Sequence, residues 1–87
     1  MYGWMLESIV KYEGNRLLGI YTKKILGIKE LKKELEDTKK EHIKFKKVFT
    51  IKNTINKKNI VEWIIDTDEC LVLSKIKFDT RLTNDYE

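Results

Sequence analysis

The sequence predicts an α+β domain with the element order β-β-α-β-β-β, in which one helix packs on a mostly antiparallel five-stranded sheet. Apolar residues recur at spacings of three and four in one segment only, and they alternate with polar residues on either side of it. The connections are short, which favours antiparallel hairpins. A chain of 87 residues supports a single domain. We place this domain at residues 1–79 and a polar tail at residues 80–87.

Residues 4–13 and 16–22 are predicted as the first two strands. Gly14 and Asn15 lie between them and are predicted as a two-residue hairpin loop, because both residue types tolerate positive φ. This loop sets four facing pairs: Glu13 with Arg16, Val10 with Gly19, Ile9 with Ile20 and Ser8 with Tyr21.

Both faces of this hairpin are predicted to be apolar. One face carries Trp4, Leu6, Val10, Tyr12, Leu17 and Tyr21, and the other carries Met5, Ile9, Leu18 and Ile20. Such a hairpin must be covered on both sides or must lend one side to a partner. The candidate anchors of a protein interface are its large aromatic and arginine side chains: Trp4, Tyr12, Arg16 and Tyr21.

Residues 23–41 are predicted as the helix. A stripe suited to docking on a sheet is formed by Ile25, Ile28, Leu31 and Leu35. Thr22 is the expected N-cap. Gly27 disfavours helix, so the regular helix is expected to begin at Ile28. The end of the helix stays open between Glu41 and Lys47, because His42 and Phe45 partly extend the stripe.

Three further strands are predicted after the helix. Residues 43–51 alternate as a half-buried strand, and residues 53–59 are predicted as a polar loop. Residues 60–66 form the next strand, with Val61, Trp63 and Ile65 on one face. An acidic turn at residues 66–69 leads to the last strand at residues 70–78. One face of this strand carries Cys70, Val72, Ile76 and Phe78, and the other carries Leu71, Leu73, Lys75 and Lys77.

The charge is concentrated in the middle of the chain. Residues 23–58 contain 13 lysines and five acidic residues, and residues 59–87 contain three basic and seven acidic residues. A basic patch for phosphate contact is predicted at Lys39, Lys40, Lys44, Lys46, Lys47, Lys52, Lys57 and Lys58. Lysine suits non-specific contact with nucleic acid, because its ammonium is a point charge. The alternative is an ordinary solvated face.

The composition indicates a low-GC source. There are 16 lysines and 11 isoleucines but no alanine, proline or glutamine. Lysine and isoleucine are encoded by AT-rich codons, which points to a low-GC bacterium or to a phage or mobile element within one. Cys70 is the single cysteine, which fits a reducing bacterial cytoplasm. No apolar run has the length of a membrane span, and no membrane partner is expected.

The inventory of catalytic side chains is small. His42 is the single histidine, so no histidine pair holds a metal, and neither a metal nor a cofactor is expected. Cys70 lies in an apolar strand and is better explained as a small buried side chain than as a nucleophile. The sequence therefore predicts a protein that is not an enzyme.

Two resemblances bear on function. Arg81 and Tyr86, with Lys44, Lys46 and Lys52, are similar in residue type to the basic groups of RelE-like ribonuclease toxins, although the order of elements differs. The segment Tyr12-Glu13-Gly14, followed by residues 17–22, resembles the opening of small phage-encoded hairpin-and-helix domains of unknown function. The second resemblance implies no chemistry.

Three functions follow from these observations. The favoured function is that of an inhibitor or adaptor of anti-defence type, encoded by a phage or mobile element. Such a protein covers a surface on a host protein or protein–nucleic-acid complex. The alternatives are a sequence-nonspecific nucleic-acid-binding accessory protein and a RelE-like ribonuclease toxin. A homodimer is a further expectation, because a thin core with an uncovered sheet face often pairs with a second copy.

Overall fold

The structure is a computed structural model that describes residues 2–46, 50–66 and 68–77. Within these ranges it confirms the predicted α+β class and element order. The strands are β1 (Tyr2–Val10), β2 (Gly14–Tyr21), β3 (Lys52–Asn56), β4 (Ile60–Ile64) and β5 (Glu69–Lys77), and the helix is α1 (Lys24–Lys44). The predicted tail at residues 80–87 lies outside the described residues.

The five strands form one antiparallel sheet in the order β2-β1-β5-β4-β3. The expected hairpins are present between β1 and β2 and between successive strands from β3 to β5. The two halves are joined by the pairing of β1 with β5, which runs from Tyr2 opposite Lys77 to Val10 opposite Glu69. This ladder places the first and last strands beside each other at the centre of the sheet.

The predicted register of the first hairpin is wrong. Residues 11–13 form the loop, Val10 lies opposite Gly14, and Ser8 lies opposite Arg16 instead of Tyr21. Gly14 has a φ of 92° and Tyr12 has a φ of 71°. Three-residue hairpin loops are a common alternative to two-residue loops, and here positive φ occurs within the loop at Tyr12 and just after it at Gly14. Gly14 therefore begins the second strand, and the loop lies before it.

A β-bulge in this hairpin reverses two predicted side-chain positions. The register shifts between Leu6 and Glu7, which leaves Leu18 as the extra residue on β2. Leu17 consequently lies opposite Glu7 on the face away from the helix, and Leu18 packs against the core. The sequence prediction had placed these two leucines on the opposite faces.

The helix extends past residue 41 and ends within the range that the sequence left open between Glu41 and Lys47. It begins at Lys24 and ends at Lys44, with Lys23 instead of Thr22 as the N-cap and without a side-chain capping hydrogen bond. Its first turns include Gly27, so the expectation that regular helix begins at Ile28 is wrong.

The predicted strand at residues 43–51 is also wrong. Residues 43 and 44 are helical, residues 45, 46, 50 and 51 belong to no strand, and residues 47–49 lie outside the described residues. Strand β3 occupies Lys52–Asn56, most of which falls in the segment 53–59 predicted as a loop. Asn53 Nδ2 donates to the carbonyl oxygens of Ile55 and Glu62, at 3.1 and 2.9 Å. These bonds span the bulge in the pairing of β3 with β4. A polar, bulged strand is tolerated there because β3 is at the edge of the sheet.

The core lies between the helix and one face of the sheet. Leucine, isoleucine, valine and tryptophan side chains of four elements and one turn form it: Trp4, Leu6, Leu31, Leu35, Val61, Ile65, Leu71 and Leu73. Gly27 is where the helix comes closest to the sheet. A Cβ atom added there would lie 2.6 Å from Leu73 Cδ1, and Leu73 is fully buried. The glycine is therefore explained by close packing of the helix on β5.

We expect Gly27→Ala to destabilise the protein although alanine favours helix. The gain in helix propensity is about 1 kcal/mol, whereas overpacking costs about 1–3 kcal/mol, so the net loss is about 0–2 kcal/mol. Urea denaturation measures this change. Combining Gly27→Ala with Leu73→Val should recover part of the loss, because the smaller side chain makes room. A Gly27→Ala protein more stable than the parent would contradict the close packing.

The C-terminal end of the helix is attached to the β4–β5 turn through His42. The Nδ1–H of the buried His42 ring donates to the Thr38 carbonyl at 2.9 Å, and Nε2 lies 3.4 Å from Asp66 Oδ2. The pKa of Asp66 lies below its ordinary value of 3.8, chiefly because the Asp68 N–H donates to Oδ1 at 2.8 Å. Partial burial raises this pKa, and the His42 contact lowers it further.

This lowered pKa predicts a pH dependence of stability. A carboxyl group with a lower pKa in the folded state contributes stability above its ordinary pKa of 3.8, and the contribution is lost as the pH falls through the lowered value. The free energy of unfolding of Asp66→Asn should therefore fall less steeply with acidification below pH 3.8 than that of the parent. Asp37→Asn, at an exposed helix position, serves as the control and should retain the parent's slope.

Candidate interaction surface

The face of the sheet turned away from the helix carries apolar side chains from all five strands. Residues directly opposite each other in neighbouring strands share a face, so the register assigns its members. We call this face the open face: its apolar and acidic members are Met5, Glu7, Ile9, Leu17, Ile20, Ile55, Ile60, Glu62, Ile64, Cys70, Val72 and Ile76, and the polar residues Asn15, Lys52 and Ser74 lie on it as well. Within residues 2–46, 50–66 and 68–77, no element packs on this face.

The open face is most shielded at its centre. Val72, on the central strand β5, is 9% exposed because its neighbours crowd around it. Leu17 and Ile20, on the edge strand β2, are 55% and 49% exposed. The outer apolar side chains are therefore the most accessible to a partner.

Two carboxylates interrupt this apolar surface. Glu7 and Glu62 lie on either side of Val72 in one row across three strands. Two strand spacings separate their backbones by about 10 Å. Glu62 Oε1 accepts a hydrogen bond from Thr54 Oγ1 at 2.8 Å, and Glu7 Oε2 lies 3.4 Å from its donor, Asn15 Nδ2. The face thus combines apolar contact area with two negative charges.

Cys70 lies in a shallow depression at one end of the open face. The depression has a volume of about 290 Å³, and its lining includes Ile9 and Ile64 together with the acidic side chains of Glu62 and Glu69. Burial raises the pKa of the Cys70 thiol above its ordinary value, and the negative charges of Glu62 and Glu69 raise it further. The thiol is therefore held in its neutral form, which is the opposite of the activation that a nucleophilic cysteine needs.

We expect Cys70 to be alkylated more slowly by iodoacetamide than a free cysteine at the same pH, because less thiolate is present. Glu62→Gln should speed the reaction by removing one charge that raises the pKa. Glu7→Gln is the matched control, since it removes a carboxylate from the same face that is not among the causes of the raised pKa. Equal acceleration by both substitutions would contradict this assignment.

The four predicted anchors of the hairpin do not form one surface. Trp4 is 8% exposed in the core, with Lys24 Nζ 5.4 Å from its ring. Tyr21 is half-buried and lies over Gly19. Burial raises the pKa of Tyr21, and the negative charges of Glu30 and Glu34 raise it further. Tyr12, 93% exposed, lies in the loop at the far end of the hairpin.

The last of these anchors, Arg16, lies exposed on β2 opposite Ser8. It is therefore near the loop end of the hairpin, whereas Trp4 and Tyr21 face each other at the other end. The apolar surface that the structure assembles instead lies on the opposite side of the same hairpin. Its sequence signal is the second apolar face, which carries Met5, Ile9 and Ile20.

The predicted basic patch is divided between the two ends of the molecule. One group lies at or near the C-terminal end of α1 and the start of β3: Lys39, Lys40, Lys44, Lys46 and Lys52. Lys57 and Lys58 lie at the other end, where Lys24 Nζ donates to both of their carbonyl oxygens at 3.2 Å. Lys24 and Lys44 are separated by about 30 Å of helix. Lys47 lies outside the described residues.

The residues considered for catalysis are not brought together where the structure describes them. His42 lies on the helix side of the sheet, and Cys70 lies on the open face. Arg81 and Tyr86, which carry the resemblance to ribonuclease toxins, lie outside the described residues. In the described part of the chain, no three His, Cys, Asp or Glu side chains are arranged to hold a metal ion.

No protein-family model, curated protein or solved structure matches this chain. The one helix in the described part of the chain is not apolar enough to cross a bilayer. The candidate site therefore rests on the geometry of the open face and on the charges placed within it.

Proposed function

We propose that this chain is a binding protein of a phage or mobile element, an inhibitor or adaptor that covers a surface on a host protein with its open face. The observation that supports the proposal is the apolar sheet face on which no described element packs. The AT-rich composition supports a source in a phage or mobile element.

The size and exposure of the open face fit an interaction site. Five strands about 4.8 Å apart and about five residues long give a footprint of about 400 Å², which lies within the range of the largest apolar patch on a typical monomer, a patch that is often functional. Burying a fully exposed leucine or isoleucine contributes about 1.5–3 kcal/mol. Leu17 and Ile20 are each about half exposed, so both gain contact area when a partner covers them.

The charges of the open face favour a different protein over a second copy of this chain. In a face-to-face pair of two copies, Glu7 and Glu62 of each copy would enter an interface whose central rows contain four carboxylates and no lysine or arginine. Lys52, opposite Ile64, lies only at the margin of the face. Burying like charges without partners costs several kcal/mol. The homodimer expected from the sequence is therefore not proposed for this face.

A partner that matches the face has a flat apolar surface with two basic side chains. Their spacing should be about 10 Å, the separation of the Glu7 and Glu62 backbones across two strand spacings. Charge pairs of this kind set the orientation of a complex, while the surrounding apolar contacts supply affinity.

Nucleic-acid binding is not the function that the geometry favours. The lysines predicted to contact phosphate lie in two groups at opposite ends of α1. The helix itself contains seven lysines and five acidic residues, so its charge is mixed. Both features reduce the continuous positive potential that non-specific binding to a phosphate backbone requires.

The proposal is tested by co-purification from a low-GC bacterial lysate with matched variants. We expect the parent protein to recover a stoichiometric protein partner, and Leu17→Lys and Ile20→Lys to lose it, because each places a lysine where apolar contact is made. Ile25→Lys is the control: Ile25 is 71% exposed but lies on the helix, so this variant should retain the partner. Retention by all three variants, or recovery of nucleic acid alone, would overturn the proposal.

A further inference from the structure

A groove beside α1, on the opposite side of the sheet from the open face, is a second candidate site. Two adjoining depressions with volumes of about 690 and 270 Å³ share Lys32 and Trp63 in their linings. The larger one is also lined by Leu35 and Ile51, and the smaller one by Val61. Together they form a continuous groove between the helix and strands β4 and β3.

The dimensions of the sheet explain why this groove exists. The outermost of five strands are about 19 Å apart, whereas one helix with its side chains is about 10 Å wide. The single described helix lies over β1, β2 and β5, so the helix-side surface of β4 and β3 is left with room for one further helix. The wall of the groove runs from Ile28 to Lys39, which is about 16 Å or three helical turns.

The chemistry of the groove selects the kind of helix that fits. Its floor is mostly apolar, with Trp63 half-buried where the two depressions meet, and Asn53 and Asn56 also line the smaller depression. Along its helix wall, Lys32 and Lys39 are both exposed and outnumber the single acidic residue there, Glu36. An amphipathic helix with an apolar stripe and acidic flanks would match both features. Its apolar stripe would be buried against the floor, and its acidic flanks would lie near the lysines.

We propose that this groove binds an acidic amphipathic helix of a partner protein. This inference is independent of the proposed function, because the open face and the groove lie on opposite sides of the sheet. A second copy of α1 fits less well, because Leu31 and Leu35 of its apolar stripe are already packed in the core and its seven lysines outnumber its five acidic residues. With both sites occupied, the chain is an adaptor that holds two protein surfaces on either side of one sheet.

The test uses two synthetic peptides of about four helical turns with the same leucine stripe. One has glutamate at every flanking position and the other has lysine. We expect the glutamate peptide to bind the full chain at least about tenfold more tightly, which is about 1.4 kcal/mol. Binding is followed by the fluorescence of Trp63, and the Trp63→Phe protein identifies the signal that comes from Trp4.

Adjacent lysines provide the matched control. Lys32→Glu should abolish the preference for the glutamate peptide, whereas Lys33→Glu should retain it, because Lys32 lines the groove and Lys33 does not. Leu17→Lys, which alters the open face, should bind the peptide like the parent. This last variant separates failure of the groove from failure of the proposed function.

Three results would overturn the inference. Equal binding of the two peptides would show only general adhesion to apolar surface. Equal effects of Lys32→Glu and Lys33→Glu would place the peptide elsewhere. The third result concerns quenching of Trp63 fluorescence by acrylamide. If Trp63 is protected from quenching in the peptide-free protein and becomes accessible in Lys32→Glu, the chain or a second copy occupies the groove itself.

Discussion

The pairing of β1 with β5 is the constraint on which the rest of the structure depends. It joins strands that are distant in sequence into a nine-residue antiparallel ladder at the centre of the sheet. Each step of the ladder assigns one pair to the helix side and the next to the open face. Leu6 with Leu73 thus enters the core, while Glu7 with Val72 lies on the other side. A shift by one residue would exchange the two surfaces completely.

Among the residues that the structure describes, one helix on five strands leaves two different apolar regions available for contact. The open face is broad and carries two carboxylates, whereas the groove beside α1 is narrow and has lysines along its wall. Glu7 and Glu62 on one side and Lys32 and Lys39 on the other make the charges at the two sites opposite in sign. Opposite charge preferences on opposite sides suit a protein that distinguishes two partners, which is the specificity expected of an adaptor.

The sequence-based errors fall where local patterns compete with tertiary contacts. Alternation after the helix predicted a strand, but the contact of His42 with Asp66 attaches the last helical turns to the sheet. The segment around Asn53 is polar enough to predict a loop, yet hydrogen bonds across the bulge make it an edge strand. Gly27 weakens a helix by propensity, and only the position of Leu73 shows why a larger residue does not fit there.

The sequence by itself determined the fold class, the element order, the part of the helix stripe formed by Ile28, Leu31 and Leu35, and the alternation of the last two strands, because these follow from local periodicities of 3.6 and two residues. Ile25, which the sequence also placed in that stripe, is 71% exposed. The sequence further indicated that the first hairpin has two apolar faces. Only the tertiary structure decided which strands are neighbours, where the bulge exchanges Leu17 and Leu18, and how Glu7 and Glu62 come to flank Val72. Those features depend on pairing between distant segments, and local periodicity does not encode the partner of a strand.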